Sequence, residues 1–329
     1  MKKFVLRTLL FFIPFAVPVI LYAMIDPFGV LYPENYRASV NRDFQSTELF
    51  LSNYKNGQYD SFIFGNSRSI YYQASSWRRF IDGQVFHFDA SSESIYGINK
   101  KLLFLQGLKS VPVKNALIIL DVSVIVKTDN SSGHLYLKHP KISEESNIKF
   151  EMQMFTDFIP LSMFAYTDFY LFKKSRPYMS RFIVCDSLSR LDVTTNELSY
   201  DKYDEQIKTN PAAYYNPRRG LFYPRDAVSA ESKCCIGLRQ KEILKSMRLI
   251  LTSFKTNYKI IISPLYDQKR INREDLKYLR RLFGEQNVFD FSGKNHFTEP
   301  YTSYYETSHY RPVVCDSIMS LVYGHSSKP

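Results

Sequence analysis

Short, predominantly apolar runs alternate along this chain with segments whose apolar residues recur every three or four positions. Residues 61–64, 85–89, 115–120, 259–263 and 288–291 are runs of branched and aromatic side chains of strand length. Residues 98–108, 237–257, 273–283 and 311–323 have helical spacing; in 237–257, Ile243, Leu244, Met247, Ile250 and Leu251 share one face. Gly107 and Gly284 close two of these helices, and Pro312 falls in the first turn of the last. A shorter helix is expected over residues 43–54. Regular alternation of this kind predicts an α/β fold, a three-layer α/β/α sandwich around a mainly parallel five-stranded sheet.

Between residues 126 and 233 the alternation lapses, so an irregular insertion is expected there, inside a domain running from 58 to 324. Residues 150–172 are aromatic and Met-containing and predict one or two core-packed helices. Residues 214–224 concentrate turn formers, arginines and aromatics. They read either as a loop that closes over a site, with Arg218 or Arg219 binding a carboxylate or phosphate, or as a solvated turn. At the start, Lys2, Lys3 and Arg7 precede seventeen uncharged residues, 9–25. That pattern predicts a single-pass membrane anchor over residues 1–26, with the main domain extracytoplasmic (periplasmic); a cleaved signal peptide is the alternative. Residues 27–57 then read as a juxtamembrane linker and a short helix.

With 329 residues the chain is long enough to bury a full α/β core. Its 43 basic and 32 acidic residues leave a net charge of +11, which points to an anionic partner such as a charged glycan or a phospholipid surface. No helix-turn-helix, zinc or RNA-binding signature accompanies the charge, so nucleic acid is not expected. Cys185, Cys234, Cys235 and Cys315 fit no metal-ligand spacing. Cys185 could pair with Cys234 or Cys235, or all four could be free thiols. His134 and His139 lack acidic partners in register and read as surface residues. Neither a metal nor an organic cofactor is called for.

The candidate chemistry begins where the first strand stops. In Asp60-Ser-Phe-Ile-Phe-Gly-Asn-Ser67-Arg-Ser, Gly65 permits a sharp turn and Ser67 falls at a strand's carboxyl end, ahead of a predicted helix. Near the other end, Tyr304-Tyr-Glu306-Thr-Ser-His309 sets an acid three residues before a histidine, just ahead of the last helix. Serine needs a base to become a nucleophile, imidazole is suited to the task, and a carboxylate can fix the imidazole's tautomer. Glu306, His309 and Ser67 could therefore act together. His296 is a rival base without an acid at matching spacing, and Arg68 could bind an anionic substrate or brace the loop.

These two motifs, in this order, resemble the SGNH/GDSL hydrolase superfamily, most closely its membrane-anchored cell-envelope branch of the DltD and alginate O-acetylation type. The likeness covers residues 58–324. It implies a flavodoxin-like fold with Ser67 as nucleophile, His309 as base and Glu306 as the orienting acid. It further implies oxyanion donors from a second block, where Gly97 matches and Ser91 and Ser92 are looser candidates, and from Asn66. The family's third block offers an asparagine, but Asp121 stands here, and an ionised carboxylate cannot donate to an oxyanion; Ser123 could replace it. The implied activity is O-acetyl transfer to or from a cell-envelope polysaccharide through an acyl-serine ester. A multi-pass membrane acyltransferase is the implied partner. The alternatives are a non-catalytic glycan-binding or assembly subunit, to which the Asp121 and Glu306 departures point, and a secreted lipase or esterase.

Overall fold

The computed structural model describes residues 1–32, 41–183 and 190–324. The chain divides into two compact units: residues 1–45 with 131–186, and residues 46–130 with 187–329. The expected insertion is thus split, its first half joining the N-terminal residues and its second half belonging to the sheet-bearing unit.

In the first unit the helices Lys2–Ile25, Asn147–Phe158 and Leu161–Tyr170 pack around Tyr22, Ile25, Phe28, Phe150, Met154, Phe158 and Tyr166. Of the one or two helices expected over 150–172, two form, the first starting at Asn147, and they contribute Phe150, Met154, Phe158 and Tyr166 to this core. The expected membrane anchor does not stand: no helix among the described residues is long and apolar enough to cross a membrane. Helix Lys2–Ile25 carries Pro14 and Pro18, and one face of its last turn is core through Tyr22 and Ile25, with the Tyr22 ring 5.5 Å from those of Phe155 and Phe158. The single-pass membrane location, and the extracytoplasmic placement drawn from it, fall with the anchor. The supposed linker is packed too, as far as it is described (33–40 lie outside the described residues). Phe28 is fully buried, and the Asp26 carboxylate accepts the N–H groups of Val30, Leu31 and Tyr32 at 2.8–3.2 Å. His134 stacks on Phe28 with centroids 4.2 Å apart and pairs with Asp157. Burial, set against that carboxylate, holds its imidazole below the usual histidine range. His139 is buried and caps a short helix, so neither histidine is the surface residue its sequence context suggested.

Among the described residues of the second unit nine strands form: β1 (Ser61–Phe64), β2 (Val85–His87), β3 (Asn115–Leu120), β4 (Arg190–Asp192), β5 (Glu197–Ser199), β6 (Asn257–Ile262), β7 (Val288–Asp290), β8 (Tyr304–Glu306) and β9 (His309–Tyr310). Five of them make one parallel sheet in the order β2-β1-β3-β6-β7. Ser61 is in register with both Val85 and Asn115. Ile63, Leu117, Ile119 and Ile261 face a cluster holding Trp77 and, from helix Pro312–Tyr323, Ile318 and Met319. Phe62 and Phe64 point the other way, into a stack of aromatic rings with Phe50, Phe86, Phe88 and Phe104. Burial on both faces is why these strands read as mainly apolar runs without a polar alternation. The free edge of β2 is covered by the β4–β5 hairpin, whose Thr195 carbonyl accepts the His87 N–H at 2.8 Å.

The order of strands fixes where a ligand can approach. From β1 the chain moves outward to β2, then returns past β1 to β3, so the connections leave the carboxyl ends of β1 and β3 in opposite directions. Such a switch point opens a crevice in doubly wound sheets. Ser67 follows β1 and Asp121 follows β3.

Candidate active site

Gly65 begins the turn out of β1 with φ +154°. A Cβ there would stand 2.9 Å from the Ile119 carbonyl oxygen, the Ile119 Cβ and the Ser69 Cβ, so neither the space nor the conformation suits another residue. Asn66 then shapes the loop. Its side-chain oxygen accepts the Arg68 N–H at 3.0 Å, and its carbonyl accepts both the N–H and the hydroxyl of Ser69, at 2.9 and 2.6 Å. The next element is a three-residue 3-10 turn, Ser69–Tyr71, rather than the expected helix. An oxyanion at Ser67 would therefore look to individual N–H groups and not to a helix terminus. The Ser67 N–H itself has no acceptor among the described residues.

The acid-x-x-His segment is a β-hairpin. Glu306 on β8 and His309 on β9 are direct partners, with Thr307 and Ser308 as the turn. Directly opposed side chains on one face of a hairpin lie close enough to touch, and Glu306 Oε1 does hydrogen-bond His309 Nδ1. Its other oxygen accepts the Ser308 N–H at 2.6 Å. Burial pushes the Glu306 carboxyl up, but the hydrogen bond and charge of His309 and the Ser308 N–H outweigh it, so the group is held below the usual glutamate range. His309 Nε2 lies 2.8 Å from Ser67 Oγ across 242 residues of sequence. The His309 side chain is 29% exposed, which leaves this pair open to a reactant.

Around the pair, Arg68 Nε donates to the Ser308 carbonyl at 2.9 Å and Nη1 to Asp121 Oδ2 at 2.8 Å. Asp121 is buried and receives Asn66 Nδ2 at 2.8 Å on the same oxygen; its other oxygen accepts the N–H groups of Ser123 and Val124 at 2.7 and 3.2 Å. This carboxylate is therefore neutralised by Arg68 and committed to bracing. The Asn66 amide is likewise turned toward Asp121, which removes that hydrogen from the oxyanion role expected of it.

Gly97 does not supply the expected donor. It is the third residue of helix Ile95–Gly107, buried, and its N–H is taken by the N-cap Ser94 hydroxyl at 2.9 Å. Ser91 and Ser92 sit nearer the rim: the preceding Ala90 N–H bonds the Gly65 carbonyl at 3.2 Å, and Lys127 Nζ holds the Ser92 hydroxyl at 2.6 Å. Arg218 is half-buried, bonds the Tyr214 carbonyl at 2.9 Å and lies 4.0 Å over the Tyr214 ring. Its segment packs on the hairpin through Tyr215, whose hydroxyl reaches the Thr302 and Tyr304 carbonyls, both at 3.0 Å. It is a brace, not a free lid. His296 is exposed, its ring tilted against that of Phe297 with centroids 3.9 Å apart. Cys185 lies outside the described residues; Cys234 donates to Asp275 at 3.1 Å, and Cys315 is buried. Among the described residues no cluster of metal-ligating side chains occurs.

Two participants escaped the sequence reading. Tyr71 is buried with its ring centroid 5.6 Å from that of His309, walling one side of the imidazole. The Ser308 peptide is gripped at both ends. The two-residue spacing between Glu306 and His309 was the available signal for the hairpin; nothing local signals Tyr71. Compared with protein-family models and with curated proteins, the chain matches none.

Proposed function

We propose that this chain is a serine-dependent acyl-ester enzyme of SGNH type, acting through an acyl-Ser67 intermediate. The observation that carries the proposal is the unbroken order Glu306–His309–Ser67, with the 2.8 Å contact between His309 Nε2 and Ser67 Oγ. His309 takes the Ser67 proton as Oγ bonds the acyl carbon, then passes it to the departing alkoxide as the donor's C–O bond breaks. Water or an acceptor hydroxyl gives its proton to His309 and attacks the ester, and Ser67 leaves with that proton restored. The Ser67 N–H, which has no acceptor among the described residues, is a backbone donor left for the developing oxyanion.

The acceptor we propose is a polysaccharide hydroxyl, with acetyl as the group moved. The partly exposed pair, the tyrosine-rich surroundings and the +11 charge favour a hydrated, polar acceptor over the apolar chain a lipase would bind. Of the two departures behind the non-catalytic alternative, the Asp121 one is accounted for by its pairing with Arg68.

The test uses the full chain with p-nitrophenyl acetate and intact-mass detection of acetyl-enzyme, beside Ser67→Ala and His309→Ala. An adduct and turnover, both lost in Ser67→Ala, are expected. A folded protein giving neither would refute the proposal.

A further inference from the structure

We infer that Arg68, held by Asp121, is the positioning residue that sets the distance between Ser67 and His309; the inference rests on the acyl-serine reading above. The β8–β9 hairpin shares no strand pairing with the main sheet, so backbone ladders do not fix His309 relative to Ser67. Side chains do. Tyr304 and Tyr310 hold the hairpin's strands, reaching the Pro264 carbonyl at 3.0 Å and the Ser263 hydroxyl at 3.4 Å. At the turn the tie is Arg68 Nε on the Ser308 carbonyl at 2.9 Å. That carbonyl belongs to the peptide from which His309 emerges, and the N–H of Ser308 is held by Glu306 at 2.6 Å.

Asp121 refers both halves of the pair to one point. Its Oδ2 takes Arg68 Nη1 and Asn66 Nδ2, each at 2.8 Å, so one oxygen anchors the residue after the nucleophile, the residue before it and, through Arg68, the histidine's turn. Its Oδ1 is locked by the Ser123 and Val124 N–H groups at the end of β3. The Asp121 side chain is 2% exposed and that of Arg68 18%, so water does not readily replace their ion pair, whereas the Arg68–Ser308 bond is exposed. Arginine suits the task because one planar guanidinium spans a carbonyl and a carboxylate; a lysine ammonium offers no such fork. A displacement of about 1 Å between reacting groups costs on the order of a hundredfold in rate.

Arg68→Ala, Arg68→Lys, Asp121→Asn and the Arg68→Ala/Asp121→Asn double variant of the full chain test this with p-nitrophenyl acetate. Arg68→Ala is expected to lose about a hundredfold in kcat with KM within about twofold, and to be partly restored by added guanidinium ion. Arg68→Lys should be nearly as slow. The double variant should be within about threefold of its slower parent, because both changes cut one link. If Arg68→Ala unfolds, Arg68→Lys and Asp121→Asn carry the same kcat criterion. Wild-type kcat in the variants, a loss confined to KM, or a loss that guanidinium does not relieve overturns the positioning role while leaving acyl-Ser67 intact. A wild-type protein that forms no acetyl-Ser67 removes the catalytic reading itself, and the inference with it.

Discussion

Replacing Glu306 by glutamine probes the tautomer of His309 with almost no change of shape. The native carboxylate has two oxygens with two jobs: one takes His309 Nδ1–H, the other the Ser308 N–H at 2.6 Å. Glutamine has one oxygen and one NH2. If the oxygen stays on Ser308, the NH2 faces Nδ1 and donates to it, which moves the ring proton to Nε2. That nitrogen is 2.8 Å from Ser67 Oγ and would then donate instead of accepting, leaving no base. The flipped amide keeps the native tautomer but sets NH2 against the Ser308 N–H, at a cost of about 1–3 kcal/mol for the lost acceptor. The inactive tautomer therefore dominates. Glu306→Gln is expected to slow turnover by roughly a hundredfold to ten-thousandfold, about 3–5 kcal/mol, with melting temperature nearly unchanged. Burst kinetics with p-nitrophenyl acetate measure it directly. Turnover within about threefold of wild type would refute the assignment of Glu306 as the group that orients His309.

Two further outcomes rest on the packing beside the site. His87 is buried between Asp89, 3.1 Å from Nδ1, and Glu197, 3.7 Å from Nε2. Burial pulls its pKa down, but the two carboxylates win and raise it to about 9 from an ordinary 6.5. A raised folded-state value means the stabilisation is complete below 6.5 and is lost as pH climbs through 9. Urea melts should show up to about 3 kcal/mol lost across that window, beyond any change in His87→Gln; parallel profiles for the two proteins would disprove it. Gly65→Ala forces a Cβ to within 2.9 Å of the Ile119 carbonyl, so a loss of about 2–4 kcal/mol and of Ser67 reactivity is expected by denaturant melts and acetylation; an unchanged midpoint would count against the strained turn.

Much of the sheet was legible because its strands are buried on both faces. Residues 61–64 and 115–120 form strands over their full expected lengths, and helix 273–283 likewise, bounded by the Asn272 cap and Gly284. Ser67, His309 and Glu306 were legible as residue types placed beside a strand end and a terminal helix. The hairpin was missed because its strands are three and two residues long, too short for any period to show. Residues 9–25 were read as a span, yet no helix among the described residues is long and apolar enough to cross a membrane; protein covers only one end of the run, while Phe11, Phe15 and Ile20 stay exposed. Tyr22 and Ile25 are covered by protein, in the core with Phe158.

What the sequence determined by itself is the set of local, repeating features: apolar runs that must be buried, glycines at expected turns and helix ends, and a serine, a histidine and an acid. Those arise from side-chain chemistry within a few residues. The tertiary structure decided the rest, because contacts across 242 and 53 residues leave no local trace. It brought Ser67 to His309, turned Asp121 from an apparent obstacle into the anchor of Arg68, and withdrew Gly97 by giving its N–H to Ser94. Each outcome depends on which donor meets which acceptor, and only the folded chain sets that pairing.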